Sequence, residues 1–408
     1  MCRKLVVLGG GVSGKAACTL GKKLGYDPVI INDNDTELLP ESDLIVASPG
    51  MHPLKSHLYR QAAAEKRAMT GELAFGAAQL KTVPVLAITG TNGKTTTTEL
   101  TCHLLNQLGV KAVSCGNIGL PVSEVAANFD NELKAVVMEV SSFQLELAED
   151  FAPHAAVLLN LKSDHEERYA GGFEEYCKVK YNIFKNVPEE NRFYGMHSFG
   201  RKGRGDYRNG KLFYDGKIIA DNLQDTPFSA PHNQENLVAA LELVLTVIPF
   251  DKLDAETFDK AVHSFKFGRH RIEFVAEKEG VKYYNDSKAT NPSAVTSAVN
   301  SLKGQGAGIV LMLGGSDKGM DFSELALLSE HLRGLILFGA SGENIGKVFP
   351  DSVKKLSVGM DFKRAVESAS EMAEQGDIVL LSPACASFDM FKGYDDRGNQ
   401  FCKLVNEL

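Results

Sequence analysis

The seven cysteines of the chain include no C-x-x-C pair, so neither a disulfide framework nor a zinc site organises the fold, and a reducing compartment is the natural setting. Long apolar runs are missing too. The longest candidate, Leu237 to Phe250, is interrupted by Glu242 and Pro249 and falls short of the roughly 20 residues a bilayer requires. After Arg3-Lys4 the apolar run from Leu5 to Leu8 is too short for the core of a signal peptide. Positive charge is in deficit, with 44 Lys and Arg against 52 Asp and Glu and a net charge of -8. A general nucleic-acid or anionic-membrane surface is therefore not expected, although local basic pockets for anionic substrates stay open. Repeats and low-complexity tracts are absent. What is present is an ordinary globular composition, 44% hydrophobic over 408 residues. It is enough for several domains of about 100 to 200 residues, expected in the cytoplasm.

The chemistry is concentrated between Pro84 and Gly109. Val85 to Ile88 make a short buried strand, Gly90-Thr91-Asn92-Gly93 a loop, and Lys94-Thr95 the start of a helix with Leu100, Leu104, Leu105 and Leu108 on one face. Backbone N–H groups can approach an anion where side chains are missing, and a helix N-terminus attracts phosphate. Lys94 is expected to reach the terminal phosphates of a nucleotide and the Thr95 hydroxyl to ligate Mg²⁺. Two residues separate Gly90 from Gly93, where a Walker loop has four. A plain strand-turn-helix junction is thus the alternative. The run Thr95 to Thr98 favours the phosphate site, because β-branched residues are poor helix formers unless their hydroxyls have partners.

Upstream, Leu5 to Leu8 lead into Gly9-Gly10-Gly11-Val12-Ser13-Gly14 and a helix to about Leu24. With the strand Val29 to Ile31 ending at Asn32-Asp33, this spacing fits nucleotide binding or a tight turn. Leu44 to Ala47 form a third strand before Ser48-Pro49-Gly50, and a helix is expected from Leu54 to Arg67. Downstream of the cradle come the strand Ala112 to Ser114, the loop Gly116-Asn117-Ile118-Gly119 and the strand Ala135 to Val140. Glu139 near that strand's end is a candidate metal ligand or a surface glutamate. Ser141-Ser142 can cap a helix. After the strand Ala155 to Asn160, His165 sits in a polar loop, where a lone histidine is more often structural than a ligand.

In the helix expected from Phe173 to Phe184, Phe173, Tyr176, Ile183 and Phe184 form an apolar stripe that also contains Lys180. This lysine points inward. It either snorkels or is a buried amine biased toward its neutral, nucleophilic form. Asn209-Gly210 and Asp215-Gly216 mark tight turns between short antiparallel strands. Helices are expected from His232 to Val247 and from Asp254 to Phe265, then a hinge at Phe267-Gly268 and the cations Arg269 and Arg271 around His270. Strands near Val281 to Tyr284, Ile309 to Leu313, Gly334 to Phe338 and Ile378 to Leu381 follow. Polar loops after them, 285–291, 314–318 and 382–387, imply a ligand-binding face. The fold class expected is α/β with three domains. They are a Rossmann-like domain (1–82), a central P-loop ATPase-like domain (83–268) and a C-terminal Rossmann-like domain (269–408).

With these residues assembled the chain resembles the Mur ligase family over its whole length, and within it the D-glutamate-adding branch. The likeness is carried by Thr89-Gly90-Thr91-Asn92-Gly93-Lys94-Thr95-Thr96, by Glu139-Val140-Ser141-Ser142-Phe143-Gln144-Leu145, and by Asn285-Asp286-Ser287-Lys288-Ala289-Thr290-Asn291 and Ser382-Pro383-Ala384-Cys385-Ala386-Ser387. The resemblance implies that ATP activates the carboxylate of UDP-N-acetylmuramoyl-L-alanine as an acyl phosphate, which the amine of D-glutamate then attacks. It implies that Gly11, Val12, Ser13, Asn34 and Ser48 hold the UDP-sugar and that Asn117 faces the acyl acceptor region. Gly90 to Gly93, Lys94, Thr95, Thr96, Asn236, Arg271 and Asp286 would hold ATP. Two Mg²⁺ would be held by Thr95, Glu139, His165 and Lys180, the last as an N-carbamate formed with CO₂. Lys318, Thr290, Ser387 and Tyr394 would receive the amino acid. Lys94, Glu139, His165 and Lys180 are the implied catalytic set, in a monomer with no nucleic-acid or membrane partner.

Two stretches depart from the family pattern. Ala230-Pro231-His232-Asn233 lacks the usual glycine two before the histidine, and Asn32-Asp33-Asn34-Asp35 does not match the usual uracil loop. L-glutamate stays open as the amino acid. A nicotinamide-dependent dehydrogenase would explain the first glycine loop but not the second. A nucleotide-switched binding module would leave the third domain's loops without a purpose.

Overall fold

The computed structural model describes residues 2–36, 38–165, 168–200, 203–317 and 319–408. They form two compact units, one of Met1–Leu161 with Arg168–Phe265 and one of Lys162–Glu167 with Lys266–Leu408.

The first unit holds three sheets. β1 (Arg3–Leu8), β2 (Tyr26–Ile31), β3 (Leu44–Ala47) and β4 (Met69–Gly71) are parallel in the order β2-β1-β3-β4. β5 (Val85–Thr89), β6 (Ala112–Gly116), β7 (Ala135–Glu139), β8 (Ala155–Leu158) and β9 (Arg192–Tyr194) are parallel in the order β6-β7-β5-β8-β9. Every residue of β5, β7 and β8 is buried. That is why these segments read as unbroken apolar runs, since a parallel strand is covered on both faces. β10 (Gly205–Arg208), β11 (Lys211–Tyr214) and β12 (Lys217–Ala220) form an antiparallel ribbon. Its turns hold Asn209, Gly210, Asp215 and Gly216 at φ of 52°, 71°, 49° and 77°, the positive values that tight hairpins demand.

The second unit is one sheet in the order β13-β14-β18-β15-β16-β17. Its strands are β13 (Glu273–Lys278), β14 (Val281–Asn285), β15 (Ile309–Gly314), β16 (Leu332–Phe338), β17 (Lys355–Gly359) and β18 (Ile378–Ala384). β13 alone runs antiparallel to its neighbour. Two buried clusters flank the sheet, one around Val295, Leu311 and Leu380 and one around Val310, Val366 and Phe401.

In each parallel sheet the chain returns to pair on the opposite side of an earlier strand, and loops beyond strand C-termini meet at such switch points. Gly9 and Ser48 follow β1 and β3, and Val140, Gly90 and Leu159 follow the adjacent strands β7, β5 and β8. Asp286, Cys385 and Gly315 follow the adjacent strands β14, β18 and β15.

Several boundaries differ from expectation. The helix expected over Leu54 to Arg67 covers only His57–Ala64, because the Ser56 side chain accepts from the Tyr59 N–H and caps it there. The helix expected to reach Phe184 is Gly172–Tyr181 followed by a 3₁₀ turn, Asn182–Phe184. Its first turn leaves Phe173 40% exposed, so that residue is not part of the buried stripe. β6 runs on to Gly116 and β18 to Ala384, placing Gly116 and Ser382-Pro383-Ala384 in strands rather than loops. Among the described residues no helix is long and apolar enough to cross a membrane.

Candidate active site

The loop after β5 is braced from below and from both sides. Thr89 Oγ1 donates to Val140 O (2.7 Å), tying β5 to the end of β7. Asn160 clamps Asn92, accepting from its N–H (2.8 Å) and donating to its carbonyl (3.1 Å), while Thr91 N–H donates to Asn160 O (3.0 Å). Asn160 in turn donates to Glu235 (3.5 Å), whose other oxygen accepts from the N–H groups of His197 and Ser198. Gly93 has φ 86°, and a Cβ there would lie 2.4 Å from Asn236 Oδ1. The close approach of the long helix Pro231–Leu245 therefore requires glycine at this position. Asn236 also accepts from Thr97 Oγ1 (3.1 Å). Of the candidate ATP ligands, Gly90 to Thr96 and Asn236 are thus brought together. The Lys94 amine donates to Gly90 O (2.9 Å) and Thr91 O (2.8 Å) within the loop it follows.

Lys180 is 2% exposed and does not snorkel. Its Nζ donates to Gly90 O (2.9 Å) and Thr89 Oγ1 (3.3 Å) and lies 4.9 Å from the centre of the Tyr176 ring. The Tyr176 hydroxyl shares a hydrogen bond with Thr91 Oγ1 (2.9 Å). A residue far along the chain therefore sits directly beneath the glycine loop.

Glu139 ends β7 and is 1% exposed. Asn117 Nδ2 donates to its Oε1 (2.7 Å), and Oε2 is buried with no hydrogen-bond donor. A buried carboxylate oxygen without a donor is costly unless a cation takes it, so the site fits a divalent metal. Among the described residues no three His, Cys, Asp or Glu side chains gather as a ready-made cage. A cation at Glu139 would therefore complete its shell with hydroxyl, phosphate and water oxygens, as Mg²⁺ commonly does.

The candidate UDP-sugar residues flank the first sheet. Gly11 and Val12 are exposed at the start of the helix Val12–Lys23, Ser13 is half-buried, and Ser48 is buried and donates to Gly9 O (3.0 Å). Asn34 is exposed in the turn after β2. Asp33, at the end of the spacing read as nucleotide binding or a tight turn, accepts from Ser56 Oγ (2.8 Å) and the Leu58 N–H (3.3 Å) at the start of the next helix. Ser48 lines a small solvent-open cleft together with Pro49, Tyr59, Glu72, Gln144 and Arg168 among others. Arg168 grips Glu146 with two nitrogens (2.6 and 2.8 Å), donates to Met51 O (2.9 Å) and stacks on Phe143 (4.1 Å). It joins the turn after β3 to the capped helix after β7.

In the second unit Asp286 is buried, accepting from Ser382 Oγ (2.8 Å) and the Ile272 N–H (3.2 Å). Burial pushes its carboxyl up to about 7, against the pull of those hydrogen bonds and of Arg271 and Arg397. Arg271 is half-buried between His270 and Ile272, both at positive φ (64° and 48°). His270 is anchored to Asn285 Nδ2 (2.8 Å), and burial lowers its pKa. Thr290 is half-buried, Ser387 is buried, and the Tyr394 ring lies near His270 and Lys288. His165 belongs with this unit, at φ 54° and 3.6 Å from Asp164. Lys318 lies outside the described residues.

Sequence reading missed Asn160, Glu235, Arg168 and the Tyr176 hydroxyl. The first three carry no motif of their own. Tyr176 was visible only as an apolar-stripe residue.

Comparison with known proteins decides the family. Residues 88–197 match the model of the Mur ligase middle domain and residues 270–385 that of the Mur ligase, glutamate ligase domain. The UDP-N-acetylmuramoylalanine--D-glutamate ligase of Cytophaga hutchinsonii is 34% identical, covering 100% of both chains. The chain belongs to the Mur ligase family. The ligase of the same name from Desulfosudis oleivorans is 38% identical to this Mur ligase over 90% of the chain and 83% of the relative. Solved structures of UDP-N-acetylmuramate-alanine ligase MurC from Thermotoga maritima and of a pseudomurein peptide ligase type C from Methanothermus fervidus share the fold. The first has a TM-score of 0.61 at 18% identity, the second 0.63 at 17%, and each covers 99% of both chains. The MurF ligase of Thermotoga maritima, solved in complex with ADP, aligns with TM-score 0.59 at 18% identity over 92% of this Mur ligase and 96% of that chain.

Proposed function

We propose that this Mur ligase joins D-glutamate to UDP-N-acetylmuramoyl-L-alanine with cleavage of ATP, making a cytoplasmic precursor of peptidoglycan. One observation carries the reading. On the adjacent ends of β5 and β7 a lysine-bearing glycine loop meets a buried glutamate oxygen without a donor, in a chain 34% identical over its full length to a ligase of that activity by name.

In the proposed reaction an oxygen of the substrate carboxylate attacks the γ-phosphorus of ATP, and ADP leaves. The amine of D-glutamate then attacks the acyl phosphate, loses a proton and expels phosphate to form the amide. The loop Gly90 to Gly93, Lys94, Thr95 and Thr96 are assigned to the ATP phosphates, with Asn236, Arg271 and Asp286 as further nucleotide contacts. Gly11, Val12, Ser13, Asn34 and Ser48 are assigned to the UDP-sugar, Asn117 to the acyl region, and Thr290, Ser387, Tyr394 and Lys318 to the amino acid. Thr95 and Glu139 would hold one Mg²⁺, and Glu139, His165 and an N-carbamate on Lys180 a second. Bound Mg²⁺ would offset the charge that develops on phosphoryl oxygens. The burial of Lys180 beneath the loop supports its modification, because CO₂ reacts with a neutral amine and burial disfavours the ammonium. We assign three domains (1–82, 83–268 and 269–408) to a monomer with no nucleic-acid or membrane partner.

The test is product formation. Incubation with ATP, Mg²⁺, the UDP-sugar and D-glutamate should yield a new nucleotide heavier by one glutamyl residue. Failure to form it with a folded, ATP-binding protein overturns the proposal.

A further inference from the structure

Arg397 is the largest fully buried side chain of the molecule as described, with no surface exposed to solvent. It sits in the helix Tyr394–Glu407, on the face that also buries Phe401 and Val405. A guanidinium at such a position is normally paired with a carboxylate, since an isolated buried charge is costly. Here every partner is neutral. Nε donates to Ser287 Oγ (2.9 Å), Nη2 to Ser287 O (2.8 Å) and Cys385 O (3.1 Å), and Nη1 to Ala386 O (3.5 Å). Among the described residues no carboxylate is in ion-pair distance. Asp286 and Asp389 act on it only through space.

These contacts tie together four segments. Ser287 belongs to the loop after β14, and its hydroxyl also donates to Tyr394 O (2.7 Å). Cys385 and Ala386 precede Ser387 after β18. Ala386 O, reached by Nη1, also accepts from the Ser316 N–H (2.8 Å), which brings in the loop after β15. A Cβ on Gly315 of that loop would lie 3.1 Å from Nη1. Thr290, Ser387 and Tyr394, the residues assigned above to the amino acid, all stand on segments this one fork holds.

We propose that Arg397 is the positioning residue for the amino-acid substrate: its planar fork holds the segments of Thr290, Ser387 and Tyr394 in register, and its charge, which no carboxylate among the described residues pairs directly, biases that face toward an acceptor with an additional carboxylate. The inference rests on the ligase reading. The geometry suits guanidinium rather than ammonium, because a single Lys nitrogen cannot span Ser287 and Cys385-Ala386 in one plane.

The test uses the full-length enzyme and the variants R397K, R397M and S287A. KM is measured for ATP, for the UDP-sugar and for the amino acid, together with amide hydrogen exchange. R397M should raise the KM for D-glutamate by about tenfold or more with the other two KM values within about twofold, the mark of a lost interaction confined to one substrate. Its preference for D-glutamate over D-glutamine should fall, whereas R397K, which keeps the charge and loses the fork, should raise the same KM and keep the preference. Amides of residues 315–317 and 385–391 should exchange faster in both variants, with β15 and β18 unchanged. Should R397M fail to fold, S287A removes one of the fork's acceptors and should raise the same single KM by a smaller factor. A purely structural clamp predicts otherwise. Equal loss across all three substrates, or an unmoved D-glutamate KM, overturns the proposal. If the wild-type enzyme uses no amino acid, the ligase reading fails instead, and the exchange pattern still decides whether Arg397 holds these loops.

Discussion

Asn117 and Glu139 are joined twice, by the Asn117 N–H to Glu139 O (2.9 Å) and by Asn117 Nδ2 to Glu139 Oε1 (2.7 Å). The pairing fixes the carboxylate's rotation and leaves Oε2 as the only oxygen with nothing to accept from. Glu139→Gln keeps the shape and removes the charge. Activity should fall roughly 100-fold or more, and the stabilisation that Mg²⁺ confers with a non-hydrolysable ATP analogue should vanish, while the ligand-free melting temperature hardly moves. A variant that keeps its Mg²⁺-dependent stabilisation contradicts the metal role. Asn117→Ala, which frees the carboxylate's rotation, should weaken Mg²⁺ affinity by about 10- to 100-fold, as loss of an orienting partner does.

Lys180 and Lys178 lie two residues apart and differ in every physical respect. Lys180 is buried under Gly90, whereas Lys178 is 73% exposed and paired with Glu174. If Lys180 works as a carbamate, Lys180→Ala should lose most activity and regain part of it with added acetate or formate, whose carboxylate refills the cavity. Lys178→Ala should keep near wild-type activity and ignore both. Absence of rescue in a folded, substrate-binding Lys180→Ala enzyme rejects the carbamate.

Gly93 and Gly109 have nearly the same backbone, φ 86° and 79°, but only Gly93 faces a neighbour at contact distance. Gly109→Ala should cost about 1 kcal/mol, the strain of a left-handed alanine alone. Gly93→Ala adds a clash with Asn236 and should cost roughly 2 to 3 kcal/mol while weakening ATP binding more than UDP-sugar binding. Urea unfolding of the two variants separates the strain from the contact. Equal losses would mean that the helix beside the loop yields freely.

What was legible in the sequence followed from how strongly each segment advertises its burial. The all-buried strands β5, β7, β8, β15 and β18 stood out as apolar runs. β4, β13 and β17 did not, because they are short or lie half-exposed at sheet edges, where charged and small residues are tolerated. Lys180 was found because one charge interrupted an apolar helical stripe. Arg397, Phe401 and Val405 carry the same pattern at intervals of four, which was not read. Asn160 and Glu235 had no local pattern to offer: they meet 75 residues apart, through the packing of a strand end on a helix. Lys178, although it neighbours the stripe in sequence, turns outward as its helical position requires.

Asp286 links the second unit to pH. Burial raises its folded-state pKa from 3.8 to about 7, so between these values the folded protein holds a proton that the unfolded chain has lost. Stability from this group is therefore greatest near pH 4, falls as pH rises, and levels off above 7, a change of roughly 4 kcal/mol at most. Asp286→Asn removes the ionisation. Relative to wild type it should gain stability at pH 8 and show little gain at pH 4.5, read from denaturation midpoints at the two values. The same gain at both would show that Asp286 does not titrate in this range.

The most direct measurement is phosphate release from ATP with Mg²⁺, run with and without UDP-N-acetylmuramoyl-L-alanine against a panel of D-glutamate, L-glutamate, D-aspartate, D-glutamine and L-alanine. Sustained release is expected only when the UDP-sugar and D-glutamate are both present. Sustained release that ignores the UDP-sugar, or that any amino acid supports equally, would contradict the ligase reading.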